Sequence, residues 1–499
     1  MQTRNFIQAL LLIVLVAIPK SFAQDEHQHA PPERLGKVSF HNSCKPEVQA
    51  SFERGVALLH SFAYYAAATE FEHVSEKDPT CAMAHWGVAM TYFHQLWDPP
   101  MAAQAISLGQ AELQRTRQAG GGSEREQGFI NALESIYREG SSVPYRTRAL
   151  AYEQAMSELA AKNKTDSEVQ VWYALSLLAN AAPRDKDHSR QKKAAEILEP
   201  LYDKYPQHPG IPHYLIHAYD NAELAARGLK AARKYSQIAP SAPHALHMPS
   251  HIFTRLGYWE DSIASNTAVE KAAGAQGDTG EELHSMDYLV YAYLQSGHEA
   301  DAAHVIEQLR GMHGLNTEDF KIGYASTAMP VRYAVEQGKW DDATRITPPE
   351  AAPPHVVAIA VWARGLGEAR LGRAEETRKE IARLNALEAE LRNSANDYWA
   401  TQVEIQMREL TAWANQAEGK KTEALKLMRE AADEEDAIEK LPVTPGPILP
   451  AREQLGELLL EQGHPELASK EFESALKSSP GRRRSLDGAS RVAQLLSQK

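Results

Sequence analysis

Cysteine is nearly missing from this chain: Cys44 and Cys81 are the only two in 499 residues. That count excludes a disulfide-rich scaffold, and the pair lacks the Cys-x-x-Cys spacing of a soft structural metal site. Long apolar runs are scarce too. The 13-residue run Phe6–Ile18 is too short to span a bilayer, and no later stretch approaches the roughly 18–20 residues that spanning needs. Strand-like alternation is almost absent. A phosphate loop, a dinucleotide fingerprint and a nucleophile elbow are all lacking, which removes the enzyme classes those motifs mark. Positive charge is in deficit, with 53 Lys and Arg against 66 Asp and Glu and a net charge of −13. Such a balance argues against a nucleic-acid or anionic-membrane partner.

What is present begins with an address. Arg4, the run Phe6–Ile18 and the small residues around Ser21-Phe22-Ala23 read as a secretory signal over residues 1–23. The mature chain then starts near Gln24 and is exported, periplasmic or extracellular, and losing Arg4 and Lys20 moves its charge to −15. An oxidising compartment makes a Cys44–Cys81 disulfide the expected state. Residues 24–44 form a polar, proline-containing leader expected to be mobile. The remainder is 45–495, interrupted by a proline-rich loop at 441–450 that is expected to cross or break the helical array.

A repeat runs through that remainder. Gly55, Ala67, Phe71 and Pro79 recur with identical spacing as Gly456, Ala468, Phe472 and Pro480. Small residues sit where paired helices touch, a large one packs between them, and a proline ends the second helix. Turn glycines recur at Gly257, Gly297, Gly338, Gly372 and Gly419, each with a small or polar residue five positions on, where the next helix packs closely. These residues resemble the tetratricopeptide repeat (TPR) family. The resemblance implies an all-α, right-handed α-α superhelix, here of about eleven helix-turn-helix units.

Eight polar side chains stand in register on three successive units. They are His213, His217 and Asp220; His244, His247 and His251; and His284 and Asp287. Spacings of three and four place each set on one face of its helix. In every unit that face is the one not used for packing, and the TPR resemblance implies that it lines a concave groove where ligands bind. Arg332 holds an equivalent position in the next unit, two after that of Pro249, and would extend the groove. Neutral imidazoles with carboxylates are ligands for zinc or copper, so His213, His217, His247 and His251 form a candidate metal set. The other readings are a groove for a protein, peptide or small polar ligand, and plain structural hydrogen bonding. A zinc-dependent hydrolase would use the same array, with Asp220 or Asp287 as ligand or general base. A protein–protein scaffold without any small-molecule site is a further alternative.

Other features weigh less. Pro249 is expected to kink the histidine helix, but Pro330 occupies the same repeat position, which reads as an architectural habit. Arg482–Arg484 reads as a solvated basic cluster, and Pro445–Glu453 as a cover for the groove's far end. The segments His213–Asp220, His244–His251 and Asp78–Gly87 are similar to those of exported bacterial TPR proteins. More loosely, they resemble eukaryotic tetratricopeptide repeat protein 38. That resemblance implies the fold and the face, and no reaction.

Overall fold

A glycine that ends one helix and turns the chain into the next must take a left-handed backbone, which side chains resist. Gly257, Gly297, Gly338, Gly372, Gly419 and Gly463 all do so, with φ between 64° and 82°. The close approach inside a pair is equally visible. A Cβ added at Gly55 would lie 2.8 Å from the ring of Phe71, and one at Gly456 would lie 2.8 Å from Phe472. Glycine is there because the partner helix carries an aromatic ring into that space.

The computed structural model describes residues 33–96, 101–120 and 122–498. The proposed signal segment and residues 24–32 of the leader lie outside the described residues. Among the described residues there is no strand. Helices among the described residues follow one another in eleven pairs, from Gln49–His60 with Tyr64–Lys77 to Ala451–Glu461 with Pro465–Ser478, and Arg483–Ser497 closes the array. Each helix packs on its successor, and the first helices of neighbouring pairs also touch, as Thr279–Ser296 does with Phe320–Glu336. The result is an all-α solenoid with first helices inside and second helices outside. No helix among the described residues is long and apolar enough to cross a membrane.

Three expectations need correction. The leader is not loose through residue 44. Arg34 exchanges hydrogen bonds with Ser241, and Lys37 N–H donates to the Gln207 carbonyl at 2.8 Å. Phe40 is fully buried among Phe52, Trp86 and Phe129. Arg482 is not solvated but fully buried, held by Glu453 and Glu336. The two prolines also differ. At Pro249 the helix is interrupted, giving Pro243–His247 and Pro249–Arg255, whereas Phe320–Glu336 runs on through Pro330.

Cys44 and Cys81 are joined, with their Cα atoms 4.7 Å apart. The bond ties the strap before the first helix to the start of the second pair. Its loop spans 37 residues of sequence, for which chain entropy gives about 3–4 kcal/mol of stabilisation. The double replacement Cys44→Ser, Cys81→Ser is expected to lower the urea midpoint of the N-terminal pairs accordingly. An unchanged midpoint would show that the tie is redundant with the packing of Phe40.

Candidate metal centre

The inner position of the first helices brings the eight register residues together. Gly210–Tyr219 supplies His213 and His217 one turn apart and ends at Asp220, the broken helix supplies His244, His247 and His251, and Thr279–Ser296 supplies His284 and Asp287. They do not line an open groove. His213, His244, His247, His251, His284, Asp287 and Arg332 are all buried. Two parts of the chain remote in sequence cover them. Phe62, just past the first helix, takes a φ of 53°, a left-handed backbone that costs a non-glycine residue roughly 1–3 kcal/mol. Its ring lies 4.4 Å from that of His213 and 5.3 Å from that of His244. From the other side, the proline-rich loop brings Lys440 Nζ to 2.8 Å from Asp220. The Arg332 guanidinium donates to the Gly446 and Pro447 carbonyls of that loop. The segment expected to cover the groove's far end fills its middle.

The histidines fall into two triads. His213, His217 and His244 offer ring nitrogens within 4.8 Å of one another, and so do His247, His251 and His284. The four imidazoles named from the sequence as one ligand set are therefore divided two and two, each pair completed by a third histidine. The triads abut, since the rings of His217 and His251 are 6.0 Å apart and those of His244 and His247 are 6.1 Å apart.

Hydrogen-bond partners decide where the protons are. Asn266 gives its amide N–H to the Ser262 carbonyl at 2.8 Å, so its Oδ1 is the atom that faces His247 Nδ1, at 2.8 Å. An amide oxygen only accepts, and His247 Nδ1 must carry the proton. His251 Nδ1 donates to the Asp220 carboxylate at 2.9 Å, His213 Nδ1 to the His60 carbonyl at 2.6 Å, and His244 Nδ1 to Glu281 at 3.2 Å. In the neutral imidazole each of these four then has a lone pair on Nε2. Yet His247 Nε2 and His251 Nε2 face each other at 3.0 Å. Two lone pairs at that distance repel unless a cation sits against both. A proton is a poor candidate, because burial holds both imidazoles below their ordinary pKa and so disfavours imidazolium. A metal ion fits. Two imidazoles at 2.0–2.1 Å from a tetrahedral ion have their nitrogens roughly 3.3 Å apart.

A third cluster supplies the contrast. His60, Glu168 and His208 are as close as the triads, but every ring nitrogen there has an ordinary partner. His60 bonds Glu168 and Tyr214, and His208 bonds Glu168 and the Gly210 N–H. That cluster is a saturated network, and its role is to hold the His60 carbonyl under His213.

Charge around the triads is already balanced. Burial pushes the Asp220 carboxyl up, but Lys440, Arg255 and His251 outweigh it and hold it well below the carboxylate range. Lys440 in turn is pushed down to about 8, chiefly by burial. Glu281 pairs with Lys321 and Asp287 with Arg332. Both aspartates are thus engaged, which leaves neither as the ligand or general base expected of them. Arg332, expected at a groove edge, instead anchors Asp287 and the loop.

Residues missed from the sequence are Phe62, Asn266, Glu281, Lys440 and Tyr288. Tyr288 lies four residues after His284 and had a usable signal. Its ring stands 4.7 Å from that of His247, and its buried hydroxyl has no hydrogen-bond partner in the protein. A pocket of about 280 Å³ reaches His217 and Asp220 past Gln95, Asn180 and Lys440. A larger cavity of about 700 Å³ shares Tyr398, Glu439 and Lys440 with it.

No protein-family model matches the chain, and no curated protein matches it in sequence. Among solved structures it is similar to the TPR domain of P58(IPK), at 11% identity over 91% of this chain and 99% of that one, with a TM-score of 0.23. It is also similar to the APC/C hetero-tetramer Cut9-Hcn1, at 10% identity over 89% of this chain and 96% of that one, with a TM-score of 0.27. Likeness at this level concerns helical architecture and carries nothing about function.

Proposed function

We propose that this chain is an exported metal-binding solenoid in which His247, His251 and His284 hold a transition-metal ion through their Nε2 atoms. The observation that carries the reading is the 3.0 Å approach of two Nε2 atoms whose rings both have their proton fixed on Nδ1. Zinc and copper are the ions that neutral imidazoles in this number suit. Asp220 and Asn266 act behind the ligands, fixing ring orientation and tautomer. Export rests on the apolar segment at residues 1–23, and the Cys44–Cys81 bond supports an oxidising compartment.

The groove-ligand reading loses support because the face is covered by Phe62 and the proline-rich loop. A peptide or protein partner, the ordinary expectation for such repeats, would have to use another surface. The hydrolase alternative lacks its general base for the reason given above.

Elemental analysis of protein purified from its native compartment tests the proposal. We expect about one equivalent of zinc or copper or more per chain, with about one equivalent lost in His251→Ala and helical content unchanged. Folded wild-type protein that contains no metal and takes up neither zinc nor copper on titration would refute it.

A further inference from the structure

In the other triad two of the three tautomers are fixed. His213 and His244 have their Nδ1 protons fixed by the His60 carbonyl and by Glu281, so both turn a lone pair inward. His217 Nε2 lies 3.1 Å from His213 Nε2, and its own Nδ1 is buried without a partner. His217 borders the 280 Å³ pocket that also touches Gln95, Asn180 and Lys440.

We propose that His213, His217 and His244 hold a second ion, making a two-ion centre whose open position faces this pocket and binds a small anion from solvent. The inference rests on the reading of His247, His251 and His284 as an ion site. Six neutral imidazoles bring no negative charge, and the nearby carboxylates are already matched. Asp220 faces Lys440 and Arg255, Glu281 faces Lys321, and Asp287 faces Arg332. Two buried divalent ions would leave their charge uncompensated, which is costly in a low-dielectric interior. An anion entering beside His217 and bridging or capping the ions offsets part of it, as hydroxide does in two-metal sites with ions roughly 3.5–4 Å apart.

Copper(II) loading with azide as the probe tests this. We expect about two copper ions per chain in the wild type and about one in His217→Ala or His251→Ala. The wild-type electron paramagnetic resonance signal should be coupled or silent, while each variant shows an isolated copper signal. Azide should perturb the wild-type absorption and leave His217→Ala unaffected. His217 is chosen because its Nδ1 makes no bond within the protein, and the wild-type resonance measurement needs no variant at all. A single isolated copper in the wild type, retained in His217→Ala and lost in His251→Ala, would overturn the second ion while leaving the first. No copper uptake by folded wild type would remove both.

Discussion

Replacing Arg482 with alanine is expected to destabilise the protein by about 3–5 kcal/mol, the range for removing one partner of a buried ion pair. The guanidinium is wholly enclosed. Its Nε and Nη2 donate to the two oxygens of Glu453 at 3.0 and 2.9 Å, and Nη2 also donates to Glu336 at 2.7 Å. Nη1 donates to the Tyr291 hydroxyl at 3.3 Å. Truncation leaves two buried carboxylates facing each other with Arg484 as their remaining cation. Burial already pushes Glu336 up, so it would take a proton more readily still. Urea unfolding followed by circular dichroism measures the loss. Arg482→Lys should recover part of it, since one ammonium lacks the forked geometry that serves both acids. A cost below about 1 kcal/mol would mean that the acids find water or protons without penalty.

Removing metal is expected to matter as much. An ion that binds only the folded chain stabilises it by about 4 kcal/mol when present at a thousand times its dissociation constant. Chelation should therefore lower the unfolding midpoint of the wild type, and lower that of His251→Ala less, because that variant has lost one of the ions. The metal-free protein should also be acid-sensitive above the carboxylate range. Burial is the main cause holding His213, His217, His247, His251 and His284 below 6.5, whereas the unfolded chain takes up those protons near 6.5. The unfolded state then binds more protons, so their stability is complete above 6.5 and declines as pH falls through it. The slope approaches 1.4 kcal/mol per pH unit for each group. Glu435 opposes this, because burial raises it to about 8 and its protonated form is favoured in the folded chain as pH falls. The histidines outnumber it. Urea midpoints of chelated protein at pH 7.5 and 5.5 should fall clearly, and an equal or higher midpoint at 5.5 would contradict the buried, neutral array.

Local features were legible in the sequence because their causes are local. A turn glycine announces itself by recurring five positions before a small or polar residue, and all five named from the sequence take the left-handed backbone. The Gly55–Phe71 and Gly456–Phe472 pairs follow from repeat spacing, and their packing confirms the reason for that spacing. Register on one helix face also survived, since His213 and His217 share a face whatever lies opposite. Pro249 and Pro330 show the limit. They hold the same repeat position, yet the helix breaks at one and continues through the other, so repeat position alone does not set the outcome.

By itself the sequence determined an all-helical array of paired units, a disulfide between its two cysteines and a histidine-bearing inner face. Only the tertiary structure decided that this face is buried, that its histidines divide into two triads, and that Arg482 and Lys440 are interior charges. The reason is range. Periodicity reports neighbours within one unit of about 34 residues, while the curvature of a solenoid sums small rotations over every pair. That sum brings Phe62 onto His213 and carries Lys440 onto Asp220 across 220 positions of sequence. No single unit's spacing encodes where the winding closes.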